Sequence, residues 1–401
     1  MTKKLNILFI CNKSPWPASE GGPIAMNQLI EGLANAGHTV KVLAINTNKY
    51  SVKPEDIPES YRKKTNIELT YIDLAIKPIP AFLNLFSNKS YHVERFISNT
   101  FRKKLYKILS EQKFDVVQLE TLFMSPYIDT IRKYSKAKIV LRAHNIEHLI
   151  WKRVAENSNN LLKKFYVGHL AKTLEAYERK IVSAFDGIVP ITAKDAEFFH
   201  SISSTPIMPL PFGVDTEKIK CDFNLKPELA LFHIGSMNWI PNEEGIKWFI
   251  DDVWPMVEKE LPMVKLYLAG REMPDWLLNL NRKNIFVVGE VENAHDFIRS
   301  KSISIAPLFS GSGIRIKIIE SMALGRTVIS TSIGAEGINI EDEKNILIAN
   351  NAKEYFQAIN KLFSQREIAD KIGQQARQLI EHEHSTQKLI SQLEGFYRQI
   401  L

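Results

Sequence analysis

Residues 303–330, ISIAPLFSGSGIRIKIIESMALGRTVIS, decide how the chain around them is read. An apolar run over 303–308 gives way to Ser-Gly-Ser-Gly, then to apolar residues at helical spacing (Ile316, Ile319, Ala323), then to Gly325 and a second β-branched run. That is the order strand, glycine loop, helix, strand. Gly311 and Gly313 let backbone amides turn toward one point at the start of the helix, where unpaired N–H groups and the helix dipole favour an anion. Arg315 and Lys317 are delivered to the same opening. Glu320, three residues after Lys317, shares its helix face one turn deeper. A diphosphate with a hydroxyl-bearing group behind it would fit such a face. The bland alternative is a pair of solvated helix charges, one of them matched by Glu320, beside glycines that only turn the chain.

The stretch resembles the donor-site motif of the family 4 glycosyltransferases, in the form Gly-x-Gly-x-Arg-x-Lys-x-x-Glu. The resemblance implies that Arg315 and Lys317 hold the diphosphate of a nucleotide sugar, that Ser312 and Gly313 line the loop, and that Glu320 holds the ribose. In the fuller family pattern a second Glu, which touches sugar hydroxyls, stands where this chain has Ser312. That departure leaves the sugar unassigned.

At 401 residues the chain exceeds one ordinary core and suits two domains of about 150 to 200 residues. Apolar content of 45% with 24% charged residues is ordinary globular composition. No apolar run approaches the ~20 residues of a membrane span, and residues 5–10 (LNILFI) start a strand where a signal peptide would be. The expectation is a cytoplasmic protein, with peripheral contact on the inner face of the membrane left open. Two cysteines, Cys11 and Cys221, fit a reducing compartment. Residues 1–213 carry 30 Lys and Arg against 19 Asp and Glu, whereas residues 214–401 carry 22 against 26. The first half is the basic one. It shows no nucleic-acid-binding signature, so an anionic membrane surface or an anionic, lipid-linked acceptor suits it better than nucleic acid.

Taken in order, residues 5–10 read as a buried strand, followed by a loop over 19–23 that carries Gly21 and Gly22. Pro23 begins a helix with apolar positions Ile24, Leu29, Leu33 and Ala36, ending at Gly37 before a strand over 39–45. The G-x-G-x-x-G and acidic residue of a dinucleotide site are missing. Gly21 and Gly22 resemble the family's N-terminal glycine loop, which faces the donor phosphates; a plain tight turn is the alternative. Residues 53–108 are looser. Phe82, Leu83, Leu85 and Phe86, with Lys77, Lys89, Arg95 and Arg102 to Lys104, could touch a membrane or acceptor, or could be a domain helix with snorkelling lysines.

Strands over 115–119 and 138–143 follow, and the second ends at His144-Asn145-Ile146-Glu147-His148. Ligands of open α/β sheets gather at the C-terminal ends of strands. The resemblance maps the family's His near the reacting sugar to His144. Residues 144–148 also fit the H-x-x-E-H pattern of inverted zinc peptidases, which needs both histidines on one helix face. A core or capping histidine is the third reading. A helix over 160–184, a last strand over 186–190, a helix over 193–200 and the Pro-rich segment 206–215 (PIMPLPFGVD) complete the first half.

In the second half, strands over 231–234, 265–269 and 285–288 each end in a loop: residues 235–242 (GSMNWIPN, opening on Gly235-Ser236) before a helix over 246–253, Gly270-Arg271 and Gly289-Glu290-Val291. Together with the Gly311 loop they converge on one sheet edge. By resemblance these loops bind the donor, and Val291 borders its base. Residues 384–401 form an amphipathic helix with Leu389, Leu393, Phe396 and Ile400 on its stripe.

The expectation is therefore α/β: two Rossmann-like domains with parallel sheets facing across a cleft, named GT-B by the resemblance. The divisions fall at 1–205, 206–383 and a returning helix over 384–401. Function is expected as hexosyl transfer, with retention, from a nucleotide-diphosphate sugar to a saccharide or lipid-linked acceptor in surface polysaccharide or glycoconjugate synthesis. No metal or further cofactor is expected, since D-x-D occurs nowhere in the chain. A catalytically silent relative, a non-hydrolysing nucleotide-sugar epimerase and a zinc hydrolase stand as alternatives.

Overall fold

A computed structural model describes residues 3–18, 21–48, 51–158, 160–311 and 313–401, with the backbone alone at Ala81 and Phe82. Ser312, the loop residues Ser19 and Glu20, and the side chain of Phe82 thus lie outside what is described. The chain forms two compact units, Met1–Pro211 with Gln387–Leu401, and Phe212–Thr386.

In the first unit, strands β1 (Asn6–Cys11), β2 (Thr39–Asn46), β3 (Glu68–Tyr71), β4 (Val116–Glu120), β5 (Lys138–Ala143) and β6 (Gly187–Pro190) pair in parallel, in the order β3-β2-β1-β4-β5-β6. Both faces of this sheet are buried, so the strands read as continuous apolar runs. Leu8 and Ile10 of β1 join Leu43, Ile45 and Leu119 in one core. Ile7, Phe9 and Cys11 point into the other, with Val42, Ala44 and Val140. The first core is closed by Phe101, Leu105 and Ile108 of the Asn99–Glu111 helix. That helix is started by the Ser98 hydroxyl, which accepts from the Phe101 amide. Its basic residues face outward, and Lys104 binds Glu68 at 3.1 Å. The second core is closed by the Gly21–Asn35 helix (Met26, Leu29, Ile30, Leu33) and by the Thr386–Ile400 helix (Leu389, Leu393, Phe396, Ile400).

In the second unit, β7 (Glu228–Ile234), β8 (Leu266–Ala269), β9 (Ile285–Gly289), β10 (Lys301–Ala306), β11 (Thr327–Ser330) and β12 (Leu347–Ile348) pair in parallel, in the order β12-β11-β10-β7-β8-β9. Leu231, Leu266, Leu268, Ile303, Ile305 and Ile329 meet Ile246, Phe249, Trp254, Tyr355 and Ile359 from the covering helices. All six strands end on one edge, and the order reverses direction between β10 and β7, the placement at which α/β sheets leave a crevice.

Four readings of the sequence are corrected. The first helix starts at Gly21, so Gly21 and Gly22 belong to its first turn; Pro23 is no barrier there because first-turn amides have no intrahelical partner. Along that helix Ile24 is only half-buried and Ala36 lies beyond its end, while Ala25, Met26 and Ile30 are buried. For the same reason the helix after β7 begins at Ile240, with Pro241 in its first turn, six residues before the expected start. The strand expected over 303–308 runs Lys301–Ala306, ended by Pro307, which cannot donate to a neighbouring strand. The following helix, Ile316–Ala323, buries Ile318, Ile319, Met322 and Ala323, and Ile316 is only half-buried.

Gly245 holds the Ile240–Trp248 helix against β10: a Cβ added there would fall inside the contact radius of the Pro307 carbonyl oxygen. Gly168, within the Leu161–Ile181 helix, faces open space, with nothing within 4 Å of an added Cβ. The two alanine substitutions should therefore have opposite signs. Gly245→Ala should cost about 1–3 kcal/mol through overpacking, and Gly168→Ala should add about 0.5–1 kcal/mol through helix propensity and a stiffer unfolded chain. Urea unfolding checks both; equal effects would mean that the close approach does not matter.

Candidate functional site

In the second unit, backbone bonds tie the strand-ending loops to one another. The Gly235 amide donates to Ala269 O at 3.1 Å, the Met237 amide to Arg271 O at 2.9 Å and the Gly270 amide to Gly289 O at 2.8 Å. The loops after β7, β8 and β9 are thus one hydrogen-bonded edge. Gly270, at φ +145°, lies so close to the Gly235 carbonyl that no side chain fits.

After β10, Gly311 (φ +101°) and Gly313 (φ +80°) lead to Arg315, whose extended backbone starts the Ile316–Ala323 helix. Arg315 is buried, its guanidinium 5.3 Å from the Trp239 ring centroid and bonded to Gly313 O. The Lys317 ammonium donates to Asn242 Oδ1 at 2.5 Å and lies 3.4 Å from His233 Nε2. His233, fully buried, uses Nδ1–H to donate to Ile305 O at 3.0 Å, which leaves Nε2 as an acceptor for Lys317. Asn242 Nδ2 in turn donates to Ser236 O at 2.8 Å. Among the described residues no carboxylate lies within 4 Å of the Lys317 ammonium. Lys317 as a whole is half-buried. Burial, then the neighbouring Arg315, bring it down to about 7. Burial, then Lys317, also hold His233 well below its usual value. Two adjacent basic groups against neutral acceptors could receive an anion, and the burial of Arg315 does not fit the reading of both as solvated surface charges.

Glu320 is not the partner of Lys317. Its carboxylate lies 3.5 Å from His295 Nε2, on the Ala294–Arg299 helix that follows the Val291 loop. Val291 and Arg271 stand at the ends of β9 and β8, Val291 half-buried and Arg271 exposed. The structure therefore brings Gly235, Ser236, Gly313, Arg315 and Lys317 onto the edge of one sheet, linked through Asn242 and His233, with Glu320 reached through His295. Sequence reasoning missed His233 and His295, and it included Trp239 and Asn242 in the loop over 235–242 without giving either a role. Of these, His233 was the accessible one, since it stands at the C-terminal end of β7.

Gly21, Gly22 and His144 belong to the first unit. Gly22 faces the Lys13 side chain, whose Cε would lie 3.0 Å from an added Cβ. His144 Nε2 is 2.6 Å from Glu120 Oε2. His148, inside the Glu147–Glu156 helix, binds instead to the buried Glu178 through Nδ1 at 2.6 Å. The two histidines thus serve different carboxylates and do not share a helix face, as the zinc pattern would require. Burial, then Glu178, push Glu147 up to about 8. Among the described residues no group of three or more His, Cys, Asp or Glu is placed to hold a metal ion. Cys11 and Cys221 are free thiols in separate units. No helix is long and apolar enough to cross a membrane, among the described residues.

Residues 20–218 match the family described as "Glycosyltransferase Family 4", and residues 228–365 match "Glycosyl transferases group 1". The chain is 25% identical over 380 residues, 90% of its length and 93% of the relative's, to an uncharacterized 44.6 kDa protein in the cps region of Klebsiella pneumoniae. A second relative is the capsular polysaccharide biosynthesis glycosyltransferase CapM of Staphylococcus aureus, 24% identical over 47% of this chain and 53% of that one. Among solved structures, Anabaena HepE in complex with UDP superposes with a TM-score of 0.70 at 11% identity, covering 98% of this chain and 100% of the other.

A diphosphate placed beside Lys317 favours its charged form, so binding should draw a proton onto it above pH ~7, and affinity should fall as pH rises through that value. Calorimetry with pyrophosphate at pH 8, in buffers of different ionisation enthalpy, should show more proton uptake for the parent protein than for Lys317→Met. Equal uptake would place the diphosphate elsewhere.

Proposed function

We infer the reaction from the premise that this chain belongs to the family 4-like glycosyltransferases of GT-B fold: it moves a hexosyl group from a nucleotide-diphosphate sugar to a saccharide or lipid-linked acceptor, with retention. The observation that carries this reading is the pairing of a buried Arg315 with a half-buried Lys317 at the start of the Ile316–Ala323 helix, where Lys317 meets neutral groups and no carboxylate among the described residues. Departure of the nucleotide diphosphate concentrates negative charge that needs fixed positive partners. Lys317, held by Asn242 and His233, and Arg315, held against Trp239, would meet that charge with little reorganisation. Glu320 would accept from the ribose hydroxyls, and the Val291 loop would border the base. The UDP held by HepE supports a nucleotide partner, and the names of the two sequence relatives support a place in capsular or other surface polysaccharide synthesis.

In this reading the basic first unit takes the acceptor, with His144 serving the transfer. Its surface carries Ile79, Leu83 and Phe86 beside Leu161, Leu162 and Phe165, all exposed; Phe86 is 80% exposed and Leu162 83%. The two segments are joined where His169 Nε2 donates to the Asn84 carbonyl at 3.2 Å. Exposed lysines lie near these segments in sequence: Lys163 and Lys164, and Lys77 and Lys89, which pair with Asp73 and Glu94. Exposed apolar side chains with lysines nearby in sequence suit an anionic bilayer surface, from which a lipid-linked acceptor would be drawn.

Release of nucleotide diphosphate that depends on acceptor, with sugar found on the product, tests the reaction itself; a silent relative or an epimerase would give neither. Arg315→Gln and Lys317→Met should each cost about 2–4 kcal/mol of transition-state stabilisation, roughly thirty- to thousand-fold in kcat/KM. Retention of more than about half the parent kcat/KM by both variants would refute the diphosphate assignment. Activity should persist in EDTA, because Arg315, Lys317 and loop amides supply the positive charge. Sedimentation with anionic vesicles at low salt should carry the protein down, and Phe86→Ser with Leu162→Ser should release it; no sedimentation of the parent would remove the membrane element.

A further inference from the structure

Gln118 and Glu120 lie two residues apart on β4, on the sheet face covered by the Thr386–Ile400 helix, and both are fully buried. Tyr397 of that helix, also fully buried, donates its hydroxyl to Gln118 Oε1. Gln118 Nε2 donates to Glu120 Oε1 at 2.6 Å, and the other oxygen, Oε2, meets His144 Nε2 at 2.6 Å. The order of donors and acceptors follows from the carboxylate, which only accepts: Gln118 must turn its amide nitrogen toward it, and His144 must carry its proton on Nε2. Arg142, opposite Glu120 in the β4–β5 register, is buried as well. Its Nη1 donates to Leu210 O at 2.7 Å and to Val189 O and Pro190 O. Arg142 therefore offsets the charge of Glu120 without taking either of its oxygens. A fully buried carboxylate, amide and phenol in a sheet core are costly to desolvate, and apolar residues of like volume would serve packing at least as well. What the polar set adds is direction: one imidazole nitrogen is fixed, and the His144 Nδ1 makes no hydrogen bond among the described residues.

We propose that Glu120 is a positioning residue for His144, and that Tyr397, acting through Gln118, makes the Thr386–Ile400 helix part of the same device. The proposal rests on the reading that His144 serves the transfer reaction. Glu120 holds the ring through Nε2–H and turns Nδ1 toward the reacting partner, while Tyr397 and Gln118 keep the carboxylate from rotating away.

A double-mutant cycle tests it on the full chain. Glu120→Gln should lower kcat by about 10- to 100-fold with little change in donor KM, and Tyr397→Phe should do so by a smaller factor. Both losses should vanish in the His144→Ala background, because the residues act through that ring. Melting temperatures supply the structural control: any change made by Tyr397→Phe should be the same in both backgrounds, whereas a merely structural role would lower kcat in both as well. Nitrogen-15 NMR of histidine-labelled protein reads the bond independently of activity. The parent should show a ring N–H on His144 Nε2 far downfield of the ordinary imidazole range, and Glu120→Gln should move it upfield. Additive losses in the cycle, or a ring proton unmoved by Glu120→Gln, would overturn the proposal. A His144→Ala variant with parent activity and an intact downfield proton in the histidine-bearing chain would instead refute only the role given to His144 in transfer.

Discussion

A half-buried lysine whose ammonium meets an amide oxygen and an imidazole nitrogen, with no carboxylate beside it among the described residues, is the constraint on which the second unit depends. Taking a charge out of water without a counter-ion is unfavourable, and a second cation alongside makes it more so. The surroundings are correspondingly fixed. His233 is locked by its bond to Ile305 O, Asn242 by its bond to Ser236 O, and the helix bearing Asn242 is pressed onto β10 where Gly245 meets Pro307. In the proposed reaction these bonds would hold the site's shape before a ligand arrives, as electrostatic preorganisation requires.

The first unit solves a related problem in a different way. There the buried charge is a carboxylate, and its two oxygens are shared between an amide donor and an imidazole, with Arg142 compensating at a distance. Burial pulls Arg142 down to about 10 while the Glu120 charge pulls it back up. The same carboxylate, after burial itself, raises Cys11 at the end of β1. The first unit thus places its anionic group at the end of β4, and the second places its cationic groups at the start of the Ile316–Ala323 helix.

Apart from β3 and β12, the strands and the Gly311 loop were legible because buried parallel strands leave continuous apolar runs and glycine marks the turn between them; β3 buries one residue of four and β12 has only two, so neither leaves such a run. Helix starts were misplaced wherever a proline stood near one, at Pro23 and Pro241, because proline marks both the end of a loop and the first turn of a helix. The partners of Lys317 could not be read at all, since His233 and Asn242 stand 84 and 75 residues away along the chain and only sheet pairing brings them together. Likewise Tyr397, which looked like one more residue of an amphipathic helix, meets Gln118 across 279 residues. Period and turn chemistry are local signals; a hydrogen bond between distant segments leaves no trace in either.

The return of residues 387–401 to the first unit has a consequence for biosynthesis. On the ribosome, β1 to β6 emerge first, yet the face of their sheet that holds Ile7, Phe9 and Val140 waits for Leu389, Leu393 and Phe396 to cover it. The second unit is contiguous in sequence and can complete its core earlier in synthesis, although it is translated later than those strands. Translation order and completion order are therefore inverted, and a nascent chain stalled before residue 387 would present an open apolar sheet face to chaperones and to other nascent chains.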